Sequence, residues 1–334
     1  MPRIVFSHAR DAQAAADWLT ARLASADHGP FERPVILAPH PALQRFLTLE
    51  VARRTGIAAS LRSLTPTAWV DEVTGLEGVA REWRPAAMAW ALVDVLRDPD
   101  GLLPDFLRRL ADSGDELALL DVARAIAHRF RTYLLHEPAI LERAESGEAP
   151  LSRREEHERW QRDVWTRLIA RIGTPSPTRV LQAARGGTLQ PTTALPRIVY
   201  VVSEPGIPPT TRALLESLSA HCAIEWCVLD HGPNAPEQHS STRRRAASAA
   251  LATLGFVPAP VAPVGRTLLA RTQAQFCAGD AAVESGPLDD TLSVHRCHSP
   301  LREIETLREL ALDALAADPT LRPHDITLYV TSLE

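Results

Sequence analysis

The side chains in this chain best suited to phosphate chemistry are arginines. All 36 basic residues are arginine, and none is lysine. A nucleotide-binding loop of the G-x-x-x-x-G-K-[ST] kind needs lysine to reach the β/γ-phosphates. Schiff-base and general-base amines need one as well, so both chemistries are excluded. Guanidinium remains: planar, permanently charged and matched to phosphates and guanine edges. Its most organised cluster is Ala123-Arg-Ala-Ile-Ala-His-Arg-Phe-Arg-Thr-Tyr133. At helical spacing Arg124, His128 and Arg131 share one face, with Arg129 beside them, and Ile126, Phe130 and Tyr133 form another. This pattern fits a contact with a nucleic-acid strand, and it equally fits a solvated basic face over a packed apolar one.

Other chemistries lack their residues. No G-x-S-x-G is present, and no carboxylate cluster implies a two-metal nuclease. His295, Cys297 and His298 lie close together, but no further ligand at zinc spacing accompanies them. Cys222 flanks and Cys227 occupies the apolar run Ala223–Leu229, and both read as buried thiols; Cys277 and Cys297 also lack metal spacing. The triplet Arg243–Arg245 reads as a solvated loop, with a duplex-phosphate contact as its alternative. A net charge of −5 gives no global nucleic-acid signature, so any such surface is local. No apolar run is long enough for a membrane span, and a reduced cytoplasm is expected.

The elements that must position these residues alternate at first. Strands are expected at Arg3–Ser7 and Pro34–Ala38, with helices at Asp11–Ala24 and Ala42–Arg54 and Gly56 as a C-terminal cap. From about Arg81 to Arg185 the periodicity is helical throughout, punctuated by Pro85, Pro104, Pro138 and Pro150. Strands return at Arg197–Val202 and Ile224–Leu229, around a helix at Pro209–Ala220. Residues 231–291 read as an irregular, partly helical connection. A strand into Cys297, a helix from Ser299-Pro300 and a strand after Arg322-Pro323-His324-Asp325 close the pattern. Alternation of this kind implies an α/β fold with a parallel sheet.

Ser293-Val-His-Arg-Cys-His-Ser-Pro-Leu-Arg-Glu and Asp318-Pro-Thr-Leu-Arg-Pro-His-Asp-Ile-Thr-Leu-Tyr-Val resemble the exodeoxyribonuclease V γ-subunit (RecC) family. So do Phe130-Arg-Thr-Tyr-Leu-Leu-His-Glu-Pro138, Trp160-Gln-Arg-Asp-Val-Trp165, Ala42-Leu-Gln-Arg-Phe-Leu47 and the turn Leu64-Thr-Pro-Thr-Ala-Trp69. The resemblance implies an inactivated superfamily 1 helicase-like (P-loop-type) sheet domain with an inserted all-helical domain. Its parts would be 1–75 and 194–292 for the α/β domain, 76–193 for the insertion, and 293–334 for the start of a second, truncated α/β domain. A working motor of that superfamily has a phosphate loop where this chain has Ser7-His8-Ala9-Arg10, and an acidic pair where it has Ser203-Glu204. The resemblance therefore implies a non-hydrolysing subunit with no catalytic site and no cofactor.

Its implied partners are single-stranded and forked DNA and RecB-like and RecD-like subunits, with the 3′ strand scanned for the hotspot Chi during double-strand-break repair. Candidate DNA contacts are His40, Arg45, Thr65, Arg124, His128, Arg129 and Arg131. Pro39, Pro41, Arg45, Thr65, Asp71, His128, Arg129 and Arg131 depart from the family's best-known polar pattern, which implies strand binding without its usual Chi octamer. Trp160 and Trp165 are expected in the core rather than as stacking platforms. Two rivals remain: a module that only docks partner subunits, and a diverged ATP-dependent helicase.

Overall fold

The computed structural model describes residues 4–330, except 27, 30, 31, 59, 76–80, 150–154, 230–248, 250, 258–264 and 279–285. The run Arg243–Arg245 and the pair Leu333-Glu334 lie outside the described residues. Two compact units are present: Met1–Val261 with Phe276–Gly279, and Ala262–Gln275 with Asp280–Glu334.

The first unit is built on a five-stranded, wholly parallel sheet. Strands β1 (Ile4–Ala9), β2 (Val35–Leu37), β3 (Arg62–Leu64), β4 (Ile198–Ser203) and β5 (Ala223–Leu229) lie in the order β1-β5-β4-β2-β3. Both faces are covered, as a parallel sheet requires. Strand alternation sends Val199, Val201, Ile224, Trp226 and Val228 into one core. Tyr200, Val202 and Cys227 enter the other. Helices α1 (Ala12–Ser25) and α2 (Pro41–Thr55) cover the Tyr200 face, while α3 (Pro66–Val73) covers the opposite face.

Local signals explain the helix ends. The Asp11 carboxylate accepts from the Ala14 amide at 2.7 Å and starts α1. Gly56 closes α2 in the left-handed region, φ 84°, where a Cβ would be strained. The expected turn at 64–69 is instead the end of β3 and the start of α3. Thr65 caps that helix through its hydroxyl, Pro66 occupies the first turn, and Trp69, Val70 and Val73 bury the inner face. A Thr-Pro start is a helix signal, but the three-residue β3 is too short to announce itself by alternation.

Between β3 and β4 the described chain is helical: α4 (Pro85–Arg97), α5 (Asp105–Asp112), α6 (Glu116–His136), α7 (Pro138–Ser146), α8 (Glu155–Ile172) and α9 (Thr178–Arg185). The first five enclose a separate core centred on Trp165, which lies 5.2 Å from Trp83 and 5.1 Å from Phe130 between ring centroids. Trp165 is fully buried and Trp160 partly so, as expected of core residues. Helix α9 joins the sheet core beside α10 (Pro209–Leu218). The helix expected at Leu103–Leu110 begins two residues later, because Pro104 stands at its N-cap.

The second unit contains α12 (Pro300–Ala317), and α11 (Leu268–Ala278) begins in it. Ser299 caps α12 from its hydroxyl to the Arg302 amide, with Pro300 in the first turn, as the sequence implied. The flanking strands are a correction. Residues 293–297 and 326–330 are extended coil without a ladder, and Val294 and Tyr329 are almost wholly exposed. Their β-favouring composition has no neighbouring strand among the described residues to supply backbone partners. Without that strand, alternation does not put His295 and Cys297 on one face. His295 instead meets Ser293 Oγ at 3.2 Å, and Cys297 Sγ meets Thr306 Oγ1 at 3.5 Å.

Candidate nucleic-acid interface

The carboxyl edge of the parallel sheet is the natural place for a ligand. Where one strand sends its helix to one face and its neighbour sends a helix to the other, a crevice opens between their ends. Here β2 leads to α2 on the Tyr200 face, and adjacent β4 leads to α10 on the opposite face. His40 and Glu204 follow these two strands, and both are exposed. His40 makes no side-chain cap at the start of α2. Thr65 follows β3 on the same edge, but its hydroxyl is already committed to α3. Arg45, on α2, is exposed and has no ion-pair partner among the described residues.

That edge does not hold a phosphate loop at β1. Strand β1 runs through Ala9, and α1 begins at Ala12, so only Arg10 and Asp11 connect them. The helix N-terminus, which would attract an anion, faces its own Asp11 carboxylate instead. Arg10 is paired with the same carboxylate at 3.1 Å. At the end of β4, buried Ser203 accepts a hydrogen bond from the Trp226 indole nitrogen at 3.0 Å, leaving Glu204 in solvent.

The remaining candidates lie on α6. Asp115 caps this 21-residue helix, and Ala123, Ile126, Ala127, Phe130 and Leu134 bury one side. Tyr133 is also taken up by packing. Its hydroxyl donates to Gln161 Oε1 at 2.9 Å, and burial pushes its pKa upward. Arg124, His128 and Arg129 are exposed, whereas Arg131 is half-buried. Their electrostatic situations differ. Arg124 meets Asp121 at 3.0 Å within its own helix. Arg131 meets Asp71 of α3 at 3.9 Å. Arg129 has no carboxylate at ion-pair distance among the described residues.

Helix α3 thus joins the two groups of candidates: Thr65 begins it at the sheet edge, and Asp71 ends its reach at α6. The same junction holds Thr67 against Thr211 at 3.2 Å, and Thr210 donates to the Leu134 carbonyl at 2.6 Å. Its cavity of about 30 Å³ accepts a water or two, not a base. A strand could therefore be met only across the open surface. Asp71 as the counter-charge of Arg131 was not legible from spacing, since 60 residues separate them and only the α3–α6 packing brings them together.

The buried cysteines take no part. Burial pushes the Cys222 thiol up to about 11 and the Cys227 thiol up to about 12, so both stay protonated near neutrality.

Comparison with known proteins adds a decisive match. The RecC N-terminal domain family matches residues 4–275. This chain belongs to the RecC N-terminal domain family. It is 28% identical over 362 residues to the RecBCD enzyme subunit RecC of Mycolicibacterium smegmatis, covering 96% of this chain and 32% of that protein. The corresponding subunit of Mycobacterium tuberculosis is 26% identical, with 96% and 34% covered. That of Escherichia coli is 22% identical, with 91% and 35% covered. The chain spans about a third of the length of these curated RecC relatives. Among the described residues, no helix is long and apolar enough to cross a membrane.

Proposed function

We propose that this chain is the strand-guiding part of a RecC subunit in a RecBCD-type helicase-nuclease. Its α/β part is a helicase-like domain that no longer hydrolyses nucleotide, with residues 76–193 inserted as a helical domain. The observation that carries this reading is the two-residue β1–α1 connection capped by Asp11, within a chain of the RecC family. A motor's phosphate loop is replaced by a carboxylate, while arginines remain available on α6 and α2. Electrostatic guidance then does the work: Arg129 and Arg45, which have no ion-pair partner among the described residues, contact the backbone of the 3′ single strand, and His40 and His128 sample its bases. Scanning for Chi and assembly with RecB-like and RecD-like subunits belong to the same proposal.

Titration of the chain into a fluorescently labelled single strand, beside a matched duplex and at several salt concentrations, tests it. Single-strand binding that weakens with salt is the expected result. Absence of binding at low salt rejects strand contact by the chain on its own. Magnesium-dependent ATP hydrolysis by the chain would overturn the non-hydrolysing assignment.

A further inference from the structure

Two apolar side chains face solvent at the start of α5. Leu102, in the segment before the helix, is 55% exposed, and Phe106, in its first turn, is 60% exposed beside the charged Asp105, Arg109 and Asp112. The inner side, with Leu107, Leu110 and Ala111, is already committed to the helical core. Phe106 therefore contributes nothing comparable to that core.

The unpaired charge around this pair is mostly negative. Between Asp98 and Asp121 the sequence has seven carboxylates and two arginines, and three of the carboxylates are paired outside that stretch: Asp98 with Arg167, Glu116 with Arg97 and Asp121 with Arg124. Arg108 turns its guanidinium onto the carbonyls of Pro99 and Gly101, leaving Arg109 as the outward cation of the two. The helix dipole explains carboxylates at helix N-termini, which accounts for Asp105. It does not explain Asp112, which closes α5 at the end where a carboxylate is disfavoured. Asp100, Asp105 and Asp112 are exposed and have no ion-pair partner among the described residues.

An exposed aromatic with a leucine beside it and an unpaired charged rim has the anatomy of a protein interface. The sign of that rim selects the occupant. It repels a nucleic-acid backbone and attracts a cationic surface. We infer that the outer face of α5 docks a cationic protein surface with an apolar centre, carried by a partner subunit, with Phe106 as its anchor. This rests on the assembly reading proposed above.

The test uses the full-length protein co-expressed with the helicase subunits of its own complex, measuring assembly by affinity capture and native mass spectrometry. Two variants are compared with wild type: Leu102→Ser with Phe106→Asp, and Asp105→Arg with Asp112→Arg. Loss of an aromatic anchor should weaken association by at least about 30-fold. Charge reversal should slow association, with a deficit that shrinks as salt rises. The second variant alters only exposed carboxylates, so it reads docking even if the first unfolds, which its melting curve will reveal. Wild-type assembly in both variants overturns the docking face alone. Failure of wild type to assemble overturns the assembly reading and this inference together.

Discussion

The two arginines nearest the end of α6 should behave differently on a single strand, although they are two residues apart. Arg131 faces Asp71 at 3.9 Å, with the two side chains 33% and 24% exposed. To neutralise a phosphate it must share or leave that carboxylate, whose own charge repels the strand. The pair itself contributes only about 0–1 kcal/mol, so stability does not obscure the comparison. Arg129 is exposed and carries no such partner among the described residues. Each phosphate neutralised on a single strand contributes about 0.7 to the slope of log affinity against log salt. Arg129→Ala should therefore lower that slope by about 0.7, equivalent to roughly a 2.6-fold convergence with wild type between about 50 and 200 mM salt. Arg131→Ala should change it by much less. Asp71→Ala should strengthen binding, because it removes an anion and releases Arg131. The assay is fluorescence anisotropy of a labelled oligonucleotide across that salt range, with thermal melts for each variant. Equal slope losses for Arg129→Ala and Arg131→Ala would refute the reasoning, as would weaker binding by a stably folded Asp71→Ala.

Three further outcomes follow from packing. Ser203→Ala strands the buried Trp226 indole N–H and should cost about 1–3 kcal/mol in urea unfolding; an unchanged midpoint would show that another acceptor takes over. Trp165→Ala should cost about 3–5 kcal/mol, since it empties the centre of the helical core and removes the donor to Glu145 Oε1. A loss below about 1 kcal/mol would mean the core closes over the gap. Cys227, fully buried, should resist alkylation at pH 8 in the folded protein. Because its folded pKa lies above that of an unfolded thiol, stability from its neutral form is complete below about pH 8.5. That stability should then fall towards pH 12, by up to about 1.4 kcal/mol per pH unit, and Cys227→Ala should flatten the dependence.

Much of the scaffold was legible because its signals are local. Continuous apolar runs mark β4 and β5, Asp11 and Gly56 mark helix ends, and 3.6-residue periodicity punctuated by prolines marks the helices from Pro85 to Arg185. Short or partner-dependent elements were not. Strand β3 has only three residues, and its pairing with β2 gives it identity. The segments at 293–297 and 326–330 have strand composition but no ladder among the described residues, so composition misled there.

For the candidate site, the division is sharper. The absence of lysine and the helical phase of Arg124, His128 and Arg131 follow from the sequence alone, because they depend on residue type and helix geometry. The strand order that places His40, Thr65 and Glu204 along one sheet edge required the tertiary structure. So did the pairing of Arg131 with Asp71, the consumption of Tyr133 by Gln161, and the solvent left beside Arg129. A charge is written in the sequence, but whether it is free to meet a phosphate depends on which distant carboxylate the fold brings beside it.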